Sequence, residues 1–246
     1  MRIVAWNIRA GGGRRVDAIV AQIEAWSPDV VALSEFRGTP PGRSLAATLA
    51  KTGYPFLLDT VDVKTPARNA LLLASRWPLR RVRLRCAPAD SERWLCAEVK
   101  APEPLTVAAV HFPNEVTGTK WPYMEALAAI ADRWKRGPAL IAGDTNSGRP
   151  GLDEENRVFG PRYNAWFDQL AAAGWQDTFR ALNPDRREFT WYSPNGGNGF
   201  RIDQAFANRR MMRRIVEVSH AWGEHEGRRD GLSDHAALII DVAGAS

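Results

Sequence analysis

Residues Leu140 to Ser147 read L-I-A-G-D-T-N-S. Leu140-Ile141-Ala142 is a short apolar run of the kind that forms a buried strand. It stops at Gly143, and two polar side chains follow, Asp144 and Asn146. In an extended segment, side chains two residues apart face the same way. The spacing therefore predicts that Asp144 and Asn146 point together out of the strand's end. A carboxylate beside an amide can orient a water and ease its deprotonation. Taken alone, the stretch reads equally well as a polar turn with Asp and Asn in their usual turn roles.

The flanks repeat the pattern. Upstream, Arg2–Trp6 reads as a buried strand ending at Asn7, and Val16–Trp26 has apolar residues at helical spacing, closed by Ser27-Pro28. Asp29–Ser34 is a second buried strand, ending at Glu35. Arg43–Lys51 reads as a short helix. Asn69–Ser75, Leu79–Cys86 and Trp94–Val99 read as three consecutive strands, and such a meander implies antiparallel pairing. Leu105–Val110 is another apolar strand, ending at His111. Lys120–Trp134 carries apolar residues at helical spacing, and Arg136-Gly137-Pro138 closes that helix. Downstream, Arg149–Gly160 is a loop and Arg162–Ala173 a helix. Glu188–Tyr192, Phe200–Phe206, Ile215–His220 and Ala236–Val242 are late strands, with no long helix between most of them. No internal repeat or linker interrupts the chain, which reads as one domain over residues 1–246.

Composition narrows the function. Of 246 residues, 45% are hydrophobic and 25% charged, ordinary values for a globular protein with a sizeable core. The formal net charge of +5 and a pI near 9.5 favour a polyanionic partner such as nucleic acid. Ten Trp residues also suit stacking on bases or sugars. No apolar run approaches membrane-spanning length and no secretory signal is visible, so a cytoplasmic protein without a membrane partner is expected. Cys86 and Cys96 match neither a disulfide framework nor a zinc pattern. The Gly11–Arg15 loop lacks the Lys-Ser/Thr ending of a phosphate-binding loop.

Five apolar strands thus end in a polar residue of catalytic type: Asn7, Glu35, His111, Asp144 with Asn146, and Asp203. A sixth begins just after Ser233-Asp234-His235. Singly, each has a structural reading, as a loop cap, a surface acid or a core histidine. Together they suggest one rim of α/β architecture gathering a site. A TIM barrel would need helices between the last strands, and those are missing; two packed sheets with helices outside fit better. Glu35 and the Asp residues are hard oxygen ligands suited to Mg²⁺ or Mn²⁺. With two histidines in a basic protein, such a set suits metal-assisted hydrolysis of a phosphate ester.

Trp6-Asn7, the strand ending in Glu35, G-D-T-N at Gly143–Asn146, R-I-D at Arg201–Asp203 and S-D-H at Ser233–His235 resemble the endonuclease/exonuclease/phosphatase superfamily in order and rough spacing. The resemblance spans almost the whole chain. It implies a four-layered αββα sandwich with two mixed β-sheets, and a monomer. It also implies that Glu35 is the main metal ligand with Asn7 beside it, Asp234 assisting with metal or water. Asp144 resembles the residue that orients or deprotonates the attacking water, supported by Asn146. His235 looks like the group at the scissile phosphate, and Asp203 like the partner fixing its imidazole. Phe189–Asp203 is similar to the stretch in which exonuclease III and abasic-site endonucleases hold a flipped sugar. By that similarity Trp191, Phe200 and Ile202 line a pocket, or else are plain core. His111-Phe112-Pro113-Asn114 matches a motif whose first position is usually Tyr in the abasic-site enzymes and His in deoxyribonuclease I. It suggests a second acid/base histidine, with Asn114 contacting phosphate. The expectation is a Mg²⁺- or Mn²⁺-dependent nuclease acting on DNA, or RNA, of exonuclease III type. A hydrolase of small or lipid phosphoesters with the same site, and an inactive binding module, are the alternatives.

Overall fold

The computed structural model describes residues 1–134, 136–223 and 231–244. In chain order, the first half contains β1 (Arg2–Asn7), α1 (Val16–Trp26), β2 (Val30–Phe36), α2 (Pro40–Lys51), β3 (Phe56–Asp59) and β4 (Ala70–Ser75). It continues with β5 (Leu79–Arg81), β6 (Trp94–Val99), β7 (Leu105–His111), α3 (Lys120–Arg133) and β8 (Ala139–Asp144). The second half contains α4 (Pro161–Ala172), β9 (Trp175–Asp177), α5 (Thr178–Leu182), β10 (Trp191–Tyr192) and β11 (Gly199–Phe200). It ends with β12 (Asp203–Asn208), α6 (Arg209–Met212), β13 (Ile215–Ala221) and β14 (Ala237–Val242).

Two six-stranded mixed sheets form, in the orders β13-β14-β1-β2-β4-β3 and β5-β6-β7-β8-β12-β9. Each has a single parallel pair at its centre, β1 with β2 and β7 with β8, where a helix returns the chain to the same end of the sheet. The sequence explains the layering. The strands read as unbroken apolar runs because both of their faces are covered. Alternate residues Ile3, Ala5, Val30, Ala32, Leu71 and Leu73 of the first sheet meet Leu95, Ala97, Val107, Ala109, Leu140 and Ala142 of the second in one central core. The residues between them, Val4, Val31, Leu33 and Leu72, pack outward on Ile19 and Ile23 of α1 and Leu45 and Leu49 of α2. On the other side Cys96, Ala108, Val110 and Ile141 pack on α3 and α4. The order is helix, sheet, sheet, helix, the four-layered sandwich expected.

Three details differ from the sequence reading. The run Asn69–Ser75, Leu79–Cys86, Trp94–Val99 is not one meander. β4 pairs with β2 and β3 in the first sheet, whereas β5 pairs with β6 in the second. The chain changes sheets at Ser75–Leu79, where Pro78 has no N–H for a continuing ladder. β5 is only Leu79–Arg81, with one further ladder bond from Val82 N–H to the Cys96 carbonyl at 2.8 Å. Phe200–Phe206 is also two strands, β11 in a small hairpin and β12 in the second sheet. Asp203 therefore begins β12 instead of ending a strand. Because β12 runs antiparallel to β8, its start still lies at the rim where β8 ends.

Candidate active site

Strand register puts the polar residues together. His111 is opposite Asp144 in the parallel β7–β8 pair, and Asp203 is opposite Asp144 in the antiparallel β12–β8 pair. Gly143 sets the approach. Its φ is +147°, and a Cβ there would lie 2.1 Å from the Val110 carbonyl oxygen, so only glycine lets β8 lie this close to β7. The Thr190 hydroxyl accepts the N–H groups of Ile202 and Asp203 at 3.0 and 3.1 Å, fixing the entry to β12. His235 is pinned through its backbone. Its N–H donates to Ser233 Oγ at 3.2 Å, its carbonyl accepts from Trp6 Nε1 at 3.0 Å, and Ser233 Oγ in turn donates to the Asn7 carbonyl at 2.5 Å.

Asn7, from the first sheet, donates from its amide to Asp144 Oδ2 at 2.9 Å, bridging to the second. Asp144 Oδ2 also lies 3.6 Å from His111 Nε2 and 3.9 Å from His235 Nε2. Asp203 Oδ2 is 2.9 Å from His235 Nδ1. All five side chains are buried. Their protonation is set by that burial and by each other. Burial alone would lower the His235 pKa, but Asp203 and then Asp144 outweigh it and push it up to about 10. His111 goes the other way: burial pushes it down to about 4, against the pull of Asp144. Burial raises the Asp144 carboxyl, opposed by both histidines. The site therefore holds a charged imidazole, a neutral one, and a carboxylate of raised basicity.

Ligand atoms of Asp144, Asp203 and His235 all lie within 4.8 Å of one another. Asp203 Oδ1 is buried with no hydrogen-bond partner among the described residues. Two hard carboxylates, one with an oxygen left over, fit a divalent cation. Glu35 is not one of these three residues. It lies inside β2 at a bulge, with φ +56°, and its Oε2 accepts from the Ala10 N–H at 2.7 Å. Asp234 is half-buried, with Arg9 Nε 4.0 Å away.

Asn146 is not in extended chain. Its φ is +46°, its N–H donates to Asp144 Oδ1 at 2.9 Å and its amide donates to the Phe112 carbonyl at 3.0 Å. The Asp-x-Asn turn and the site are thus one feature. Asn146 borders a cavity of about 200 Å³ lined also by Asn114, Trp191, Phe200 and Ile202. Phe200 and Ile202 are buried; the Trp191 ring is tilted over both Phe200 and His235, at 5.9 and 6.2 Å.

The same cavity holds a residue that the sequence reading missed, Lys120. It is 3% exposed, donates from Nζ to the Asn146 carbonyl and sits 4.8 Å from the centre of the Tyr163 ring. Burial lowers its pKa to about 8, against the attraction of Glu115 and Asp144. At the first position of a helix a lysine looks like any solvated cation, and only the Asn146 turn folding over it reveals otherwise.

The chain is similar to exodeoxyribonuclease III of Haemophilus influenzae, 28% identical over 271 residues and covering 97% of this chain and 98% of the relative. A Neisseria 3′ phosphatase solved with a product DNA hairpin superposes with a TM-score of 0.83 at 20% identity, over 99% of this chain and all of that one. An AP endonuclease from Archaeoglobus fulgidus gives a TM-score of 0.81 at 19% identity, over 98% and 99% of the two chains. These two share the fold. The pattern of the endonuclease/exonuclease/phosphatase family matches residues 4–235, nearly the whole sequence, and the chain belongs to that family.

Proposed function

We propose that this protein is a Mg²⁺- or Mn²⁺-dependent phosphodiesterase that cuts DNA, of exonuclease III type. The observation that carries the reading is the chain of side chains Asn7–Asp144–His235–Asp203, assembled from both sheets at one rim. Support for DNA comes from the exodeoxyribonuclease III relative, which this chain matches over 97% of its length, and from the basic balance of +5.

In this reading Asp144 takes the proton of the attacking water, its raised basicity suiting it as general base. Asn7 and the Asn146 turn fix both of its oxygens, so the base is already aimed. Protonated His235 presents a positive charge to the phosphate oxygens, and Asp203 holds the ring by its Nδ1. Neutral His111 can donate one hydrogen bond to the phosphate without adding charge. A divalent ion, held by Asp203 and Asp144 with Glu35, Asn7 and Asp234 around it, would neutralise charge building on the phosphate. Asn114 and Lys120 grip the phosphate or sugar from the cavity side, and Trp191, Phe200 and Ile202 form its apolar wall.

The test uses purified protein with Mg²⁺, with Mn²⁺ and with EDTA. Its substrates are plain duplex DNA, the same duplex with one abasic site, and bis-p-nitrophenyl phosphate. Metal-dependent cutting of either DNA, lost in D144N, is expected. Turnover of the small ester alone would overturn the DNA assignment.

A further inference from the structure

A second cavity lies away from the reaction site. It is a cleft of about 860 Å³ on the outer face of the second sheet, where α3 ends. Arg80, Arg85, Arg133 and Arg136 line it, over apolar Val82, Leu84, Ile130 and Trp134. The chain that builds one wall alternates: residues 80–86 read R-R-V-R-L-R-C, with every arginine exposed and Val82, Leu84 and Cys86 half-buried. The carboxylate in the cleft, Glu98, is already engaged by Arg80 and Lys100. Among the described residues no carboxylate pairs with Arg85, Arg133 or Arg136. The Trp134 ring is held in place by its N–H to the Arg136 carbonyl at 2.8 Å and by edge packing on Trp175 at 5.5 Å.

Several guanidinium groups without carboxylate partners, beside an oriented indole and over an apolar floor, match a phosphate backbone whose bases are unpaired. The guanidinium fork fits phosphate oxygens, and an indole face accepts any base. A paired duplex could not place a base in the cleft. We propose that this cleft is a second binding site for single-stranded nucleic acid, with Trp134 stacking a base and Arg85, Arg133 and Arg136 holding phosphates. The inference rests on the nucleic-acid reading above. Lys120 at the catalytic cavity and Arg133 at the cleft are the two ends of the 14-residue α3, a span of ~20 Å at 1.5 Å per residue. At the ~3.4 Å rise of a fully stacked strand that is at most roughly six nucleotides.

The test is fluorescence anisotropy with labelled single strands of 4 and 16 nucleotides, over a series of salt concentrations. The 16-mer is expected to bind wild type more tightly than the 4-mer. R85E/R136E should weaken 16-mer binding about tenfold or more and flatten the log–log salt slope by about 1.4, two phosphates at ~0.7 each. W134A should weaken it at least about fivefold, with W134F retaining most of the affinity. Bis-p-nitrophenyl phosphate turnover should be unchanged in all of them. Unchanged 16-mer affinity and slope in R85E/R136E would overturn the proposal. So would competition by a free mononucleotide as effective as the 16-mer. If wild type cuts no DNA but 16-mer binding still depends on Arg85 and Arg136, the proposed activity fails while the cleft assignment stands. Cutting of DNA with no such dependence overturns the cleft alone.

Discussion

Lys120 offers a test in which stability and activity move in opposite directions. The perturbation is K120M, which keeps an unbranched side chain of similar length and removes the charge. In the folded protein the ammonium is buried against a carbonyl and an aromatic ring, and among the described residues no carboxylate is bonded to it. Its pKa falls from the usual 10.5 to about 8, and at ~1.4 kcal/mol per unit this corresponds to about 3 kcal/mol by which folding disfavours the charged form. Between the two values the unfolded chain still holds the proton and the folded one has released it. Stability therefore rises with pH across pH 8 to 10.5, and the penalty is fully present below pH 8. K120M should be more stable than wild type at pH 7 by about 1–3 kcal/mol, because the variant also forgoes the amine's hydrogen bond to the Asn146 carbonyl and its attraction to the Tyr163 ring, which offsets part of the gain. The difference should shrink as pH rises toward 10.5. Urea denaturation at pH 7, 8.5 and 10 reads this as a midpoint shift of roughly 0.5–1 M that closes with pH. Over the same change, turnover of a DNA substrate should drop about 10–100-fold, the worth of a charge-assisted hydrogen bond to phosphate. A K120M protein that is less stable at pH 7, with a difference that does not vary with pH, would refute the energetic argument. One that cuts DNA at the wild-type rate would refute the assignment to the phosphate.

Other outcomes are expected elsewhere. Asp153 accepts from Arg201 Nε and Nη2 at 2.7 and 3.0 Å and also pairs with Arg180; Asp153 and Arg201 are fully buried and Arg180 is partly so. D153N leaves those guanidinium groups short of charge and should lower the unfolding free energy by about 3–5 kcal/mol in urea. Burial would raise the Asp153 pKa, but Arg201 outweighs it and holds it below the usual 3.8. Its stabilisation is therefore complete above that value and lost as pH falls through the folded one, so the acid limb of wild-type stability should flatten in D153N. G143A forces a Cβ onto the Val110 carbonyl at a left-handed φ, with an expected loss of about 2–5 kcal/mol and of DNA cutting together. Adding Mg²⁺ or Mn²⁺ should raise the melting temperature of wild type by ligand linkage, about 2.7 kcal/mol at a hundredfold excess over Kd. D203N, lacking the unpartnered Oδ1 charge, should show little of that rise in the same thermal scan.

The architecture was readable where one physical signal dominates. α1 runs over Val16–Trp26 as its apolar spacing required, and the strands ending at Asn7 and His111 stop there because the apolar run does. The assignment of strands to sheets was not readable. β4 and β5 are neighbours in sequence, and strands covered on both faces carry no mark of which partner they will have. At the site, residue types were legible and mutual arrangement was not. That Asp203 serves from the start of its strand needed the antiparallel register with β8. Asn146 was placed by alternation, which its left-handed φ does not obey. Glu35 shows the same limit: its bulge turns it toward the Ala10 N–H, a local choice invisible in D-V-V-A-L-S-E.

The bridge from Asn7 to Asp144 has a consequence for how the molecule comes alive. Each sheet is built around its own strand–helix–strand unit, and either could acquire its ladder before the two meet. The general base gains one of its fixing hydrogen bonds only when the sheets dock in register, because that donor comes from the opposite sheet. Hydrolysis is then an internal gauge of assembly. During refolding, secondary structure should return before any DNA is cut. A variant that merely loosens the interface between the sheets should become a weak enzyme while still looking folded by circular dichroism.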